Sequence, residues 1–498
     1  MSALFILFSC ILFTILTLQS WSGTLGLSSV FLLPLSIVFF VYGKKGLQIK
    51  YSTLAKRLTF VAKLLMTIVG VMALLRHPID TDVHTVQNGR AEIYLQAKES
   101  QNVTITLYNQ IETSKPVSIA LQAGKSTTTI TPNTKDEKNL PDGIYRVSIV
   151  GDNVRPVSRL PIYQAISQYI DQVDRQTFIL FAICAMLIKF FGVMSSAYAW
   201  HLLLRGQGII QPYFQATLTA FLIGRFIGTF LPSTIGLDGY TFYEAARYSN
   251  EKTRVAVAKV LEKFVGITGL FLGMVVTLPF GYQVIVDVAE KIERPDAALA
   301  LAGGIALVAG GLSSVVIIGL IKPGLLRTFT QKTAHILPQK VSSIISSFSD
   351  AVFAYEGKLS LILQILFAKF LTHFTTAIVY FFTALAIGAI AVGMSEFWPI
   401  VFGSNIQILA TILSPTIAGE GAREAFQALL LEKRLGGIPQ AVLSGALGFV
   451  AAEAATMWGG AFWWTRKETW RPSFMLVDGT QVDYSWLENT ADVSGETS

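Results

Sequence analysis

Charged residues and cysteines are both scarce in this 498-residue chain. Charged residues make up 14% and hydrophobic residues 52%, a balance that argues against a large soluble enzyme and is typical of polytopic membrane proteins. The two cysteines, Cys10 and Cys184, lie in apolar runs, so a disulfide framework and a thiolate metal site are not expected. There is no Ser/His/Asp arrangement, zinc motif or phosphate-binding loop, and we expect no metal and no cofactor.

The net charge of +7 raises the question of nucleic-acid binding. The basic residues fall in short loops between apolar segments, where they orient a membrane protein, so no nucleic-acid partner is expected. Eight apolar segments predict transmembrane helices, at 3–20, 27–43, 60–76, 177–200, 256–282, 298–320, 360–388 and 440–464.

The basic loop Lys44–Arg57 contains no acid, which places it in the cytoplasm. We therefore expect an integral protein of the plasma (inner) membrane with both termini cytoplasmic. The start of the chain lacks a basic signal region, so the first helix is expected to be retained. The predicted domains begin with a three-helix segment at 1–80 and end with a polar cytoplasmic tail at 466–498.

Residues 82–164 differ from the rest of the chain. Stretches such as AEIYLQAK, VTITLYN and YRVSIVG alternate apolar and polar residues, and Leu140–Gly143 reads LPDG, a pattern that predicts a small antiparallel β-sandwich. It follows the third helix, so we expect it to be extracytoplasmic. No catalytic cluster is present, which favours a structural role or docking of an extracytoplasmic protein partner.

Two polar stretches interrupt the later apolar region. Leu231–Glu244 reads LPSTIGLDGYTFYE, and Leu413–Glu424, LSPTIAGEGARE, repeats its order of Thr-Ile, a small residue, an acid and Gly. Irregular backbone at bilayer depth is tolerated only inside protein or beside water. Paired broken segments in two halves of a chain indicate a transporter binding site.

The predicted fold class is therefore an all-α polytopic membrane protein with an inserted β-sandwich. It has about eight spans plus two re-entrant broken hairpins, which enter from opposite faces in an inverted repeat. The predicted helix-breaking positions are Pro232, Gly236, Gly239, Pro415, Gly419 and Gly421.

A charge at the centre of a bilayer costs about 2.5–3.5 kcal/mol on insertion scales, so ionisable residues there are functional candidates. The predicted substrate-binding residues are Arg225, Asp238, Glu244, Glu262, Lys263, Glu420, Arg423 and Glu424. Arg225 and Arg423 are donors for a phosphate. Arg423 stands three residues after Glu420 and suits either an internal ion pair or a headgroup contact. For Lys189, Lys259 and His373 we expect snorkelling or an ordinary core contact.

The stretch from about 177 to 465 resembles the membrane domain of the lysylphosphatidylglycerol synthetase/flippase family. The matching motifs are Leu204–Ile209 (LRGQGI), Phe230–Asp238 (FLPSTIGLD), Glu262–Gly266 (EKFVG) and Thr416–Glu424 (TIAGEGARE). The chain departs from the family pattern where Leu237 replaces a second glycine, where Thr241 replaces an arginine, and at Glu453, where relatives often carry a basic residue.

The resemblance implies a lipid flippase that moves a phospholipid, an aminoacylated phospholipid or a polyprenyl-linked lipid. The motifs hold more carboxylates than arginines, which favours a cationic or zwitterionic headgroup. A short tail follows the last span, so we expect no aminoacyl-transferase domain. Two alternatives remain open. One is a glycosyltransferase using a polyprenyl-phosphate sugar at Asp80 and Asp82; the other is a non-transporting partner of lipid-synthesis enzymes. A homo-oligomer is also compatible with the sequence.

Overall fold

The computed structural model describes residues 52–325, 352–414 and 419–466 with short gaps, together with a few isolated residues. The predicted spans 3–20 and 27–43 lie outside the described residues. The chain divides into two compact units, Met1–Val173 with Ile438–Gln440, and Asp174–Gly437 with Ala441–Ser498. We refer to them as the β unit and the membrane unit.

In the described part of the β unit there are a long helix, nine strands and a short helix. The helices are α1 (Ser52–Arg76) and α2 (Ile162–Ile170). The strands are β1 (Pro78–Thr81), β2 (Val83–Gln87), β3 (Arg90–Ala97), β4 (Gln101–Tyr108), β5 (Val117–Leu121), β6 (Gly124–Ile130), β7 (Gly143–Val150), β8 (Val154–Pro156) and β9 (Ser158–Pro161).

Seven of these strands form one antiparallel sheet in the order β5-β4-β7-β2-β3-β6, with β8 also paired to β3. Alternate residues of β3 and β4 are fully buried in a shared core, among them Ile93, Leu95 and Ile105. Period-two burial of this kind is what the alternating sequence predicts. The two facing sheets of a sandwich remain a prediction, because seven of the nine described strands of this unit join in one hydrogen-bonded sheet. β1 pairs separately with β9, so strand structure begins at Pro78.

The membrane unit is mostly helical. Among its described residues the α-helices are α3 (Arg175–Gly206), α4 (Thr219–Phe230), α5 (Ile235–Ser249), α6 (Lys252–Lys291), α7 (Ala298–Ile321), α8 (Leu359–Ala386), α9 (Phe397–Leu413), α10 (Ala422–Leu431), α11 (Ile438–Ala454) and α12 (Trp458–Thr465). Two short strands, β10 (Ile209–Ile210) and β11 (Met475–Leu476), pair antiparallel.

Five helical segments among the described residues are long and apolar enough to cross a bilayer. They are Arg175–Gly206, Lys252–Lys291, Pro295–Ile321, Leu359–Ala386 and Ile438–Thr465, the last of which joins α11 and α12. These segments cover the five spans expected after residue 177. The chain is therefore an integral membrane protein, and the total of eight spans stays a prediction.

Helices α3 and α8 pack side by side and antiparallel. The Ser195 hydroxyl donates to the Ala368 carbonyl at 2.8 Å, and the Lys189 ammonium donates to the Thr376 hydroxyl at 3.0 Å. A Cβ added at Gly192 would lie 2.3 Å from the Thr375 hydroxyl. The pair therefore depends on a backbone approach that only glycine allows.

Two helical hairpins pack against this pair and α6. The first hairpin is α4 and α5 on either side of 231–234; the second is α9 and α10 on either side of 414–421. Pro232 and Pro415 lie outside the described residues. The expectation that Gly236 and Gly239 break the helix is wrong, because both lie within α5.

Gly236 is instead a packing position. A Cβ there would lie 2.4 Å from the Gly228 Cα of α4, whereas a Cβ at Gly239 would meet nothing within 4 Å. Close contact between the two arms therefore requires glycine at 236 and does not require it at 239. Gly419 and Gly421 do lie at the break of the second hairpin, with φ of +72° and +80°, a conformation that favours glycine.

The ends of three segments meet at the carboxyl end of α3. The Tyr355 hydroxyl donates to the Leu203 carbonyl at 2.6 Å, and the Lys358 ammonium to the Gly206 carbonyl at 2.8 Å. The pairing of β11 with β10 brings part of the tail to the same place. Within the predicted polar tail, Met475–Leu476 is a strand.

Helix α6 continues to Lys291. Its carboxyl end is therefore helical in the region 283–297, where the predicted spans leave a loop. Its acidic residues are paired across the chain. Asp287 accepts from Arg434 Nε at 2.6 Å and from Lys433 Nζ at 2.9 Å, and Glu290 accepts from Lys433 at 2.8 Å. Arg434 also lies 3.7 Å from Glu396, just before α9. Both ends of the second hairpin are therefore fastened to the end of α6.

Candidate functional site

The acid of the first hairpin lies deep along two antiparallel helices. Asp238 pairs with Lys263 and, at 3.3 Å, with Lys259. Asp238 is eleven residues before the end of α5 and Lys263 eleven residues after the start of α6. At 1.5 Å per residue each is about 16 Å from the connecting turn, which is about half the thickness of a bilayer core.

Glu262 joins this pair to the α3–α8 core. Its carboxylate accepts from Lys259 Nζ at 2.7 Å and from Lys369 Nζ of α8 at 2.9 Å. Lys369 also donates to the Ser196 hydroxyl at 3.2 Å, and Glu262 and Lys369 are both buried. Buried charges persist only when paired and hydrogen-bonded, and here each carboxylate is shared by two lysines.

Lys259, which we expected to have only a core contact, is the centre of this network. Its ammonium lies 4.4 Å from the centre of the Trp200 ring and donates to the Thr241 hydroxyl at 2.9 Å. Thr241 stands where the family pattern has an arginine. In this chain a cation from the neighbouring helix therefore lies beside that position.

The second hairpin contains an ion pair between two residues that are adjacent in sequence. Arg423 Nη2 lies 2.5 Å from Glu424 Oε1, and the guanidinium stacks 4.4 Å from the centre of the Phe449 ring. Glu424 Oε2 accepts from the Gly421 backbone N–H at 2.8 Å, as a glutamate at the third helical position commonly does. Arg423 therefore pairs with its neighbour Glu424, and Glu420 is half-buried beside them.

Glu424 also lies deep along its helix pair. It is seven residues before the end of α10, and the Gly445 backbone next to it is seven residues after the start of α11. Each is about 10 Å from the turn between the two helices. Both hairpins therefore bring charged groups well inside the apolar layer.

Buried amides near the second hairpin were missed at the sequence level. Gln407 Nε2 donates to the Tyr380 hydroxyl at 3.3 Å. Gln407 Oε1 and both polar atoms of Gln427 are buried without a partner among the described residues. The sequence signal for such a residue is a glutamine in an otherwise apolar stretch, as Gln407 is in 397–413.

The other predicted residues lie apart from these two networks. Glu244 pairs with Arg466 at 2.5 Å, beyond the end of α12. Arg225 of α4 lies 3.6 Å from Glu453 of α11, which also accepts from the Thr229 hydroxyl at 2.5 Å. The structure therefore joins Asp238, Glu262 and Lys263 in one network, Arg423 and Glu424 in another, and leaves Glu244 and Arg225 in separate pairs.

The family model described as the lysylphosphatidylglycerol synthase TM region matches residues 164–459. This chain belongs to that family. The match contains both hairpins, both charge networks and the α3–α8 pair. No curated protein and no solved structure matches the chain. Membership supports a membrane function related to lipids, in agreement with the resemblance drawn from the motifs.

Proposed function

We propose that this protein moves a lipid across the bilayer by passing its headgroup between the two hairpins while the acyl or prenyl tails stay in the membrane. The observation that carries the proposal is the depth of the charge networks. Asp238 stands about three helical turns, and Glu424 about two, from the turn that leads out of its hairpin to the next helix. Charges at such depth are expensive, and they mark substrate paths.

The arrangement of the hairpins supports an inverted repeat. The first hairpin begins and ends near the start of α6, where Leu218, Ala246 and Val255 share one core. The second is fastened by Arg434 to Asp287 near the other end of α6. Between Glu262 and Asp287 the helix rises about 38 Å, so the hairpins enter from opposite ends of the bilayer. The antiparallel α3 and α8 are then the equivalent first helices of the two repeats.

Alternating exposure of the two networks gives a mechanism that needs no ATP hydrolysis by this chain. The headgroup exchanges ion pairs with Asp238, Glu262 and Lys263 at one hairpin and with Glu420, Arg423 and Glu424 at the other. Each pair broken in the protein is replaced by a contact with the headgroup, so a charge is never left alone in the apolar layer.

The sidedness we propose follows the basic loops. The end of α3, the start of α8 and β11 meet at one end of the membrane unit, next to Arg205, Lys358 and Arg466, and we assign that end to the cytoplasm. Exposed tryptophans in α12, including Trp463 and Trp464, are typical of a membrane interface. We propose that residues 82–164 are extracytoplasmic and available to a protein partner.

The test is a transfer assay with the purified full chain in liposomes. Fluorescent phosphatidylglycerol, an aminoacylated phospholipid and a polyprenyl phosphate are each followed from the inner to the outer leaflet. Asp238→Asn and Glu420→Gln are expected to reduce transfer at least tenfold, because each removes a charge from a network. Glu290→Gln is the matched control, because Glu290 pairs with the exposed Lys433 at the carboxyl end of α6. This variant should transfer lipid at the wild-type rate. Folded protein that transfers no lipid would refute the proposal.

A further inference from the structure

Lys189 lies in the middle of the membrane unit and is buried. It follows the start of α3 by fourteen residues, or about 21 Å of helix, and seventeen more residues follow it before the helix ends. A lysine side chain is far too short to reach either end, so snorkelling, one of the two explanations expected from the sequence, does not account for it. Its ammonium donates to the uncharged Thr376 hydroxyl at 3.0 Å.

The charges around Lys189 do not balance. Arg225 and Glu453 are close enough to interact with it electrostatically, and Glu453 is already 3.6 Å from Arg225. Among the described residues, Lys189 forms no ion pair within 4 Å. Arg225 Nε is buried and has no hydrogen-bond partner in the described part of the chain. Two cations therefore share one carboxylate.

The neighbouring network adds to this excess. Lys259, Lys263 and Lys369 face two carboxylates, Asp238 and Glu262. His373 of α8 lies within electrostatic range of both Lys189 and Lys369, which links the two groups in space. The second hairpin has the opposite balance, since Glu420 and Glu424 accompany a single arginine, Arg423.

We infer that Lys189 and Arg225 bind a phosphate anion, the phosphate of a lipid headgroup. An uncompensated charge in an apolar layer is unfavourable, and a phosphate supplies the missing negative charge and acceptors for the free Arg225 Nε–H. The inference rests on the proposed lipid transport and sharpens it. The substrate has an anionic phosphate, whereas the count of carboxylates in the sequence motifs favoured a cationic headgroup.

Binding is measured on detergent-purified full chain with three probes. They are farnesyl phosphate, inorganic phosphate and, as a control that lacks phosphate, farnesol. Lys189→Met is expected to weaken farnesyl phosphate binding about tenfold, the scale of one charged hydrogen bond, and to leave farnesol binding unchanged. Lys291→Met, an exposed lysine paired with Glu432, is the matched control and should bind like the wild type.

Glu453→Gln gives a test of opposite sign. Removing the one carboxylate increases the positive excess, so farnesyl phosphate should bind several-fold more tightly. A purely structural Arg225–Glu453 pair would give no such gain. If Lys189→Met does not fold, the Glu453→Gln result decides by itself, because weaker or unchanged binding in that variant overturns the inference.

The remaining outcomes are also decisive. Phosphate binding unchanged in Lys189→Met, together with a higher Tm, would mean that Lys189 sheds its proton in the apolar interior, and the inference would fail. Inorganic phosphate that binds as tightly as farnesyl phosphate, with the same dependence on Lys189, would support the phosphate site and assign it to the free ion. Transfer of the phosphate-bearing lipids by Lys189→Met at the wild-type rate would refute this site and leave the transport proposal intact. Phosphate binding without transfer of any lipid would support this site and refute the transport proposal.

Discussion

The two hairpins hold their charges in different ways. In the first, Asp238 on α5 pairs with lysines of α6, and Glu262 pairs with Lys369 of α8, so the ion pairs cross between helices. In the second, Arg423 pairs with the adjacent Glu424 inside one helix, and the described ion pairs that join the hairpin to α6 are at its ends. Movement of the first hairpin must break ion pairs, whereas the second can move with its own pair intact.

The largest expected loss of stability that tests this difference between the hairpins is at Glu262. Glu262→Ala leaves Lys259 and Lys369 buried without their shared carboxylate and should lower the free energy of unfolding by about 3–5 kcal/mol. The measurement is thermal unfolding of the purified protein in detergent. Glu290→Ala, at an exposed pair, should cost less than about 1 kcal/mol. Equal losses in the two variants would contradict a buried interhelical role for Glu262.

A smaller effect is expected where the arms of the first hairpin touch. Gly236→Ala places a methyl group against Gly228 and should destabilise the protein by about 1–3 kcal/mol. Gly239→Ala, three residues along the same helix, is the matched control. Its methyl group meets open space, so the variant should be neutral or gain up to about 1 kcal/mol from helix propensity. Thermal unfolding distinguishes the two, and equal behaviour would show that the arms are not in close contact.

The smallest expected effect on stability concerns the ion pairs of Lys433, which join the second hairpin to the end of α6. Hydrogen bonds to Glu290 and Asp287 raise the pKa of Lys433 above its ordinary value of 10.5. A raised folded pKa means that the stabilisation is fully present below pH 10.5 and disappears as the pH rises through the folded value. The Tm difference between wild type and Lys433→Gln should therefore shrink above pH 10.5. Because Lys433 is largely exposed, the difference should be small at every pH, and a gap that widens in alkali would contradict the assignment.

Much of the fold could be read from the sequence because long apolar runs have few alternatives in a bilayer. The five described spans and the family membership follow from segment length and from the spacing of the motifs around Asp238 and Glu424. The alternation in 90–108 likewise predicts strands with one buried face. Helix ends were less predictable. From the sequence, Gly236 and Gly239 predict a break in the helix. Both lie inside α5, where Gly236 allows close contact with Gly228.

The composition and the order of apolar segments by themselves determined that this is a helical membrane protein with two interrupted segments, and the motifs at those segments carried the resemblance to a lipid-related family. Tertiary structure alone decided which charges are partners. Lys259 and Lys369 come from different helices and meet at Glu262, and Lys189 is left with an uncharged partner. The energy of a buried charge depends on what lies within a few ångströms of it, and for residues more than a hundred positions apart only the packing of the helices sets that distance.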